Sequence, residues 1–201
     1  MSEYIVHGTS HNNVESILLD YYIRTDIDKK HLSMLNTPSN FIFTQLVYRN
    51  IPNEQYENPA YGQYVFVLDK RILKDLPFYA GRIACFENIN PDGSYDKSDN
   101  AIIMHGKGKL KRMPRLTKLK SHIENYMIKE NSISTSSHEI LFNKNISLKK
   151  YCIALVYKGD YKDIPKNVVI LANQLKIPIK NYVAINKASI GINRFVDVIE
   201  S

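Results

Sequence analysis

Two short polar segments, far apart in the chain, carry residue types that could bind and activate a sugar. The first, His7-Gly8-Thr9-Ser10, follows an apolar run at residues 3–6, which predicts a strand that ends in a turn. A histidine at a strand end can donate from a ring nitrogen to a ligand hydroxyl, and glycine lets the backbone approach the ligand closely. The alternative is a turn with a helix cap and a histidine whose hydrogen bonds stay within the protein.

Glu139 is the counterpart of this segment downstream. It stands between a run of small polar residues, 134–138, and the apolar residues 140–142. A carboxylate at the end of a strand can hydrogen-bond a ribose hydroxyl and stabilise positive charge that develops at the anomeric carbon. The alternative is a solvated loop with a glutamate on an edge strand. We expect the two ends of the chain to share one sheet, so that His7 and Glu139 face one cavity.

Basic charge is concentrated in one segment. The chain carries 27 basic and 20 acidic side chains, a net charge of +7, and residues 105–123 include no acidic residue. A flexible basic strip of this kind can follow a phosphate backbone, and nucleic acid is the partner that we favour for it. It could equally hold the pyrophosphate of a dinucleotide, or be solvated without a role. Its basic residues are Lys107, Lys109, Lys111, Arg112, Arg115, Lys118 and Lys120.

Length and composition favour a single domain over residues 1–201, with 44% hydrophobic residues to supply a core. No apolar run approaches the roughly 18 residues that cross a bilayer. The N-terminus has no secretory signal pattern, so we expect an intracellular protein, cytoplasmic or nuclear. Cys85 and Cys152 lack CxxC spacing, which predicts free thiols in a reducing compartment and no metal site. The oligomeric state is left open.

Hydrophobic periodicity predicts a mixed α+β fold with strands concentrated at both ends of the chain. Residues 41–47 are β-prone and could turn into a helix near Leu46. The predicted strands are residues 3–6, 41–47, 63–69, 139–142, 151–157, 182–185 and 195–199. The predicted helices are residues 11–22, with Ser10 as the cap, then residues 116–130 and 166–176.

The two polar segments together resemble the ADP-ribosyltransferase superfamily of the His-Gly-Thr … Glu type. The stretch HGTSHNNVESILLDYYI is similar to the strand, His-Gly-Thr turn and helix with which many members open. The stretch SSHEILFNKNISLKKYCIALVY resembles the strand that carries the catalytic glutamate there. The likeness is strongest to the DarT-type DNA ADP-ribosyltransferases, and DIPKNVVILANQLKIP is similar to the helix that follows in that group.

This resemblance implies a fold and a reaction. The fold would be a split, bent β-sheet core with flanking helices, and NAD would lie in the cleft between the two central sheets. His7 would contact the ribose next to nicotinamide, the Gly8 backbone would hold the carboxamide, and Thr9 and Ser10 would line the same pocket. Glu139 would be the catalytic carboxylate. The implied activity is NAD-dependent mono-ADP-ribosyl transfer to nucleic acid or protein, with nucleic acid favoured by the basic strip.

The chain departs from the family pattern at three places. The family helix usually closes with glycine where this chain has Tyr21. The poly-ADP-ribosyl branch has a tyrosine strand under the nicotinamide, and residues 40–44 lack that tyrosine, although Phe43 could stack on the ring instead. The DarT-like branch also uses an arginine on the NAD phosphates, for which Arg24 and Arg49 are the candidates.

Other functions fit the same residues. One is a catalytically inactive nucleic-acid-binding or partner-binding domain on the same scaffold. A second is an RNA 2′-phosphotransferase, which shares the fold and also uses NAD. A third is an unrelated phosphoesterase that uses His7 and Thr9.

Overall fold

The structure is a computed structural model that describes residues 3–25, 41–49, 62–82, 102–104, 138–182 and 192–201. The strands are β1 (Glu3–Thr9), β2 (Tyr22–Ile23), β3 (Ile42–Tyr48), β4 (Tyr64–Asp69), β5 (Phe78–Arg82), β6 (Ile102–Met104), β7 (His138–Phe142), β8 (Ile146–Ser147), β9 (Cys152–Tyr157) and β10 (Ile179–Asn181). The helices are α1 (His11–Asp20), α2 (Ile72–Asp75), α3 (Leu148–Tyr151), α4 (Lys166–Gln174) and α5 (Ile192–Glu200), with a 3₁₀ turn at Tyr161–Asp163.

Within the described ranges, eight strands form one sheet in the order β10-β9-β4-β1-β3-β7-β5-β6, and β2 and β8 form a separate two-stranded ribbon. β10 and β9 are parallel, and the other neighbours in the sheet are antiparallel. The α+β class predicted from the sequence is confirmed. The first strand of the chain lies at the centre of the sheet, between β4 and β3.

The sheet divides at its centre, between β1 and β3. Pairing of these two described strands runs from Glu3 and Tyr48 to Val6 and Gln45, and ends there. β1 continues for three more residues paired with β4, as far as Thr9. β3 begins three residues before Gln45, and that part is paired with β7. The ends of β1 and β3 therefore separate into two halves of the sheet.

Helices cover both faces of the sheet, which explains why β4 is apolar without alternation. Five consecutive residues of β4, Tyr64 to Leu68, are buried. Side chains alternate along a strand, so Tyr4 and His7 of β1 lie on opposite faces. Tyr4 donates to Glu200 of α5, and His7 shares a cleft with α1. A strand that is covered on both faces carries hydrophobic residues at consecutive positions.

Helix α1 begins at the predicted residue, His11, and ends two residues before the predicted end. Its N-cap residue is Ser10, as expected, but the Ser10 hydroxyl makes no capping hydrogen bond. The Ser10 carbonyl instead accepts from the amides of Asn13 and Val14, both at 3.2 Å. The helix ends at Asp20, before Tyr21, which has φ 61° and ψ 13°. Tyr21 thus adopts the left-handed conformation that glycine usually supplies at a helix end.

One element prediction near the C-terminus was wrong. The predicted strand at residues 195–199 is helix α5, because Phe195, Val196 and Ile199 recur at helical spacing and form its buried side. Of the predicted strand at residues 182–185, Tyr182 follows β10 (Ile179–Asn181), and residues 183–185 lie outside the described residues. β3 continues as a strand through Tyr48 and does not turn into a helix at Leu46. None of the described helices has the length and apolar character to cross a membrane.

Candidate functional site

A cleft opens where β1 and β3 separate. Its volume is about 320 Å³. It lies between the diverging strand ends, one face of α1, and the segment that follows α1. The described lining residues are His7 and Thr9 of β1, Ile42 and Phe43 of β3, Asn13, Ser16, Ile17 and Asp20 of α1, and Tyr22, Ile23, Arg24 and Thr25. The cleft thus combines apolar walls with hydroxyl, amide and charged groups.

His7 bridges the two halves of the sheet. Its Nδ1 atom lies 2.8 Å from the Phe43 carbonyl oxygen, beyond the point where backbone pairing of β1 with β3 ends. A carbonyl only accepts hydrogen bonds, so Nδ1 carries a proton and donates to it. The sequence had suggested a histidine that donates to a ligand, and this Nδ1 hydrogen bond stays within the protein.

Thr9 is held in the cleft wall by a tight backbone contact. Thr9 is 8% exposed, and its backbone pairs with Tyr64 of β4. Gly62, which precedes β4 with φ +88°, packs on the Thr9 backbone so closely that a Cβ there would lie 2.6 Å from the Thr9 carbonyl carbon. Only glycine fits a position with both this φ and this contact. The last residue of β1 is therefore fixed by the turn that starts β4.

The other predicted binding residues divide into two groups. Phe43 lines the cleft, and its carbonyl accepts from His7. Gly8, half-buried in β1 and paired with Val65, and Ser10, exposed at the start of α1, are not among the lining residues. Their predicted contacts with a ligand remain predictions.

Glu139 lies on the strand next to β3. Its backbone pairs with Gln45 on one side and Gly81 on the other. Gln45 in turn pairs with Val6, the last residue of β1 that pairs with β3. The Glu139 backbone is therefore two strands from β1, or about 10 Å away at the usual strand spacing. The topology brings the backbone segments of His7 and Glu139 close together. The Glu139 side chain lies outside the described atoms, so a cavity shared by His7 and Glu139 stays a prediction.

The two candidate arginines have different surroundings. Arg24 lines the cleft, and its Nε atom donates to Asp20 at the end of α1 at 2.8 Å. Arg49 lies at the end of β3 and binds Asp197 and Glu200 of α5 at 2.5 and 2.6 Å. These two carboxylates raise the pKa of Arg49 above its ordinary value. Arg24 is thus the arginine at the cleft, and Arg49 attaches the C-terminal helix to the sheet.

Sequence reasoning missed the α1 side of the cleft. Asn13, Ser16 or Ile17, and Asp20 recur every three to four residues, so they share one helical face. Hydrophobic periodicity indicates only the apolar side of this helix, which is buried at Val14 and Leu18. A polar stripe next to the buried one is the signal that could have revealed it.

The basic strip at residues 107–120, with all seven of its predicted nucleic-acid contacts, lies outside the described residues, as does the predicted helix at residues 116–130. Comparisons with known proteins were made for the whole chain. No family model matches it, and neither a curated protein nor a solved structure gives a significant match.

Proposed function

We propose that this protein is an NAD-dependent mono-ADP-ribosyltransferase with an ADP-ribosyltransferase-like split sheet. The observation that carries the proposal is the separation of β1 from β3 after Val6 and Gln45. It opens a cleft at the residues that the family resemblance assigns to NAD: His7 and Thr9 come from β1, and Phe43 comes from β3. The His-Gly-Thr motif and the end of β1–β3 pairing, which are independent features of the chain, thus occur at the same place.

The lining of the cleft suits part of a dinucleotide. Its volume of about 320 Å³ is at the lower end of the range for small-molecule sites. Ile42 and Phe43 offer apolar surface for a flat ring, and Thr9 and Asn13 offer hydrogen bonds for sugar hydroxyls. Arg24 can approach a phosphate, since a guanidinium is a good phosphate ligand. The nicotinamide, ribose and phosphate of one half of NAD present a flat ring, hydroxyls and an anionic group in this order.

NAD supplies a glycosidic bond whose leaving group, nicotinamide, departs as a neutral ring. The bond from ribose C1′ to the ring nitrogen breaks with both electrons going to nicotinamide. A nucleophile on the acceptor forms the new bond to C1′ and releases its proton. Glu139 would stabilise the positive charge on the ribose in the oxocarbenium-like transition state and orient the 2′-hydroxyl. His7 would hydrogen-bond a ribose hydroxyl and hold the sugar in place.

Nicotinamide release by Glu139→Gln tests this role of the carboxylate. The substitution keeps size and removes charge, so we expect a folded protein whose release rate falls by at least 10²–10³-fold, as for loss of one well-placed transition-state group. The measurement is chromatographic detection of nicotinamide from NAD, with and without DNA, RNA or cell lysate as acceptor. Glu15→Gln on α1, outside the cleft lining, is the matched control and should retain the rate.

Two outcomes oppose the proposal in different ways. A Glu139→Gln variant with full activity removes Glu139 from the mechanism. A wild-type protein that releases no nicotinamide with any acceptor, yet binds nucleic acid with a steep salt dependence, is the binding domain on the same scaffold.

A further inference from the structure

The segment that follows α1 forms one wall of the cleft. Four consecutive residues of this segment line the cavity: Tyr22, Ile23, Arg24 and Thr25. Arg24 is the arginine to which the proposed function assigns a phosphate of NAD. Its place in the cleft depends on what holds the backbone of this wall on either side of it.

Backbone pairing holds the wall on the side that precedes Arg24. Ile23 of β2 pairs with Ile146 of β8, and these two residues are 2% and 0% exposed. Tyr22 pairs with Ser147 in the same ribbon. The pairing of the ribbon ends at Ile23, so it leaves the part of the wall beyond Arg24 to other contacts.

Asn145 holds the wall on the side that follows Arg24. Its side-chain oxygen Oδ1 accepts from the Thr25 amide at 3.0 Å and from the Thr25 hydroxyl at 3.3 Å. These two hydrogen bonds restrict both the backbone and the side chain of Thr25. Arg24 thus lies between the β2–β8 ribbon and an anchored Thr25.

The turn that carries Asn145 also joins this wall to the strand of Glu139. β7 ends at Phe142, three residues before Asn145. Its backbone is paired on both sides, with β3 and with β5, so its position in the sheet is fixed. A ligand that contacts both Glu139 and Arg24 requires a constant distance between their segments. The bonds of Asn145 to Thr25 help to set that distance.

We propose that Asn145 is a positioning residue for NAD: its hydrogen bonds to Thr25 hold Arg24 where the guanidinium meets a phosphate of the dinucleotide. This role rests on the proposed transferase function, since it concerns the same cleft. Asn145 is not among the described lining residues, so it acts through the wall. The phosphates of NAD do not react. Their contact with Arg24 is therefore equal in the ground state and the transition state, and it lowers KM without changing kcat.

Calorimetric titration with NAD and the kinetics of nicotinamide release test this role. Asn145→Ala removes the acceptor, so we expect Kd and KM for NAD to rise about three- to tenfold, the usual effect of a lost hydrogen bond, with kcat within about twofold of wild type. Asn145→Asp keeps an acceptor oxygen and should restore the wild-type values. Asn143→Ala and Asn143→Asp, in the same exposed turn, are the matched controls for truncation and for added charge.

A double-mutant cycle separates positioning of Arg24 from a general loss of structure. If Asn145 acts through Arg24, Asn145→Ala should weaken NAD binding in the wild-type background and change it less than about twofold in the Arg24→Gln background. A structural defect would instead weaken binding by the same factor in both backgrounds. Exchange of the Thr25 amide hydrogen, measured without NAD, should be faster in Asn145→Ala than in wild type and unchanged in Asn145→Asp.

Three results would overturn the role of Asn145 and leave the transferase proposal in place. One is wild-type NAD affinity in a folded Asn145→Ala variant. A second is an equal loss of affinity in both backgrounds of the cycle. The third is a lower kcat with an unchanged KM, which would connect Asn145 with the reacting bond and not with Arg24. A wild-type protein that binds no NAD refutes the proposed function and this role together, so the two failures are distinguishable.

Discussion

Replacing Gly62 by alanine should both destabilise the protein and disturb the cleft. Gly62 has φ +88°, and a Cβ at this position would overlap the Thr9 carbonyl oxygen and lie 2.6 Å from its carbon. The positive φ costs an alanine about 1–2 kcal/mol. The overlap with backbone, which cannot rotate away, costs about 1–3 kcal/mol more. The free energy of unfolding should therefore fall by about 2–5 kcal/mol, which lowers the Tm of a chain of this size by about 5–15 °C.

Thermal unfolding followed by circular dichroism measures this change, with Gly159→Ala as the matched control. A Cβ at Gly159 would meet the far end of the Tyr157 ring at 2.7 Å, and the Gly159 φ is not positive. A ring end can shift by a few tenths of an ångström, so the control should lose less, about 1–2 kcal/mol. If Gly62→Ala melts at or above the temperature of Gly159→Ala, the inferred rigidity of the Thr9 wall is wrong.

Three further predictions concern other described residues. Lys176 has φ 57° after α4, where the Ile177 amide donates to the Ala172 carbonyl at 2.9 Å. Lys176→Gly should therefore have a free energy of unfolding about 0.5–1 kcal/mol above that of Lys176→Ala in urea titrations, and equal values would contradict the strain. Burial lowers the pKa of Lys158 from 10.5 to about 8. At pH values between these two pKa values, the Lys158 amine is neutral in the folded protein and protonated in the unfolded chain. The free energy of unfolding should therefore rise with pH over this range by about 2–3 kcal/mol, and Lys158→Met should abolish the rise in urea titrations. Arg24→Gln should weaken NAD binding in calorimetry about tenfold, while Arg49→Gln should not, and equal losses would remove Arg24 from the site.

Local patterns predicted most of the described elements because they depend on neighbours in the chain. The apolar run before His7 became β1, and the run ending at Asp69 became β4, since both consist of strand-forming residues bounded by turn residues. The error at α5 arose because its apolar residues, beginning at Phe195, fit either a short strand or one side of a helix. The length of the element and its tertiary packing decide between strand and helix, and a few residues of sequence show neither the length nor the packing.

The cleft could be predicted only in part. The motif residues His7 and Thr9 were identified from type and position, and they line the cleft. Three features of the cleft depend on contacts between distant segments: the end of β1–β3 pairing at Val6, the hydrogen bond from His7, and the left-handed conformation of Tyr21. Such contacts leave no periodicity in the sequence, so the sequence could name the residues but not the geometry that joins them.

The strand order has a consequence for how the chain is made. β1 lies between partners that follow it in the chain, and the buried hydrogen bond from Thr44 to the Ile140 carbonyl spans 96 residues. At the usual rate of translation, a ribosome needs about 5–20 s to produce that interval. The edge of β3 that pairs with β7 therefore stays unpaired during this interval. An unpaired strand edge can pair with another chain, so the nascent protein is exposed to aggregation at β3 until β7 emerges.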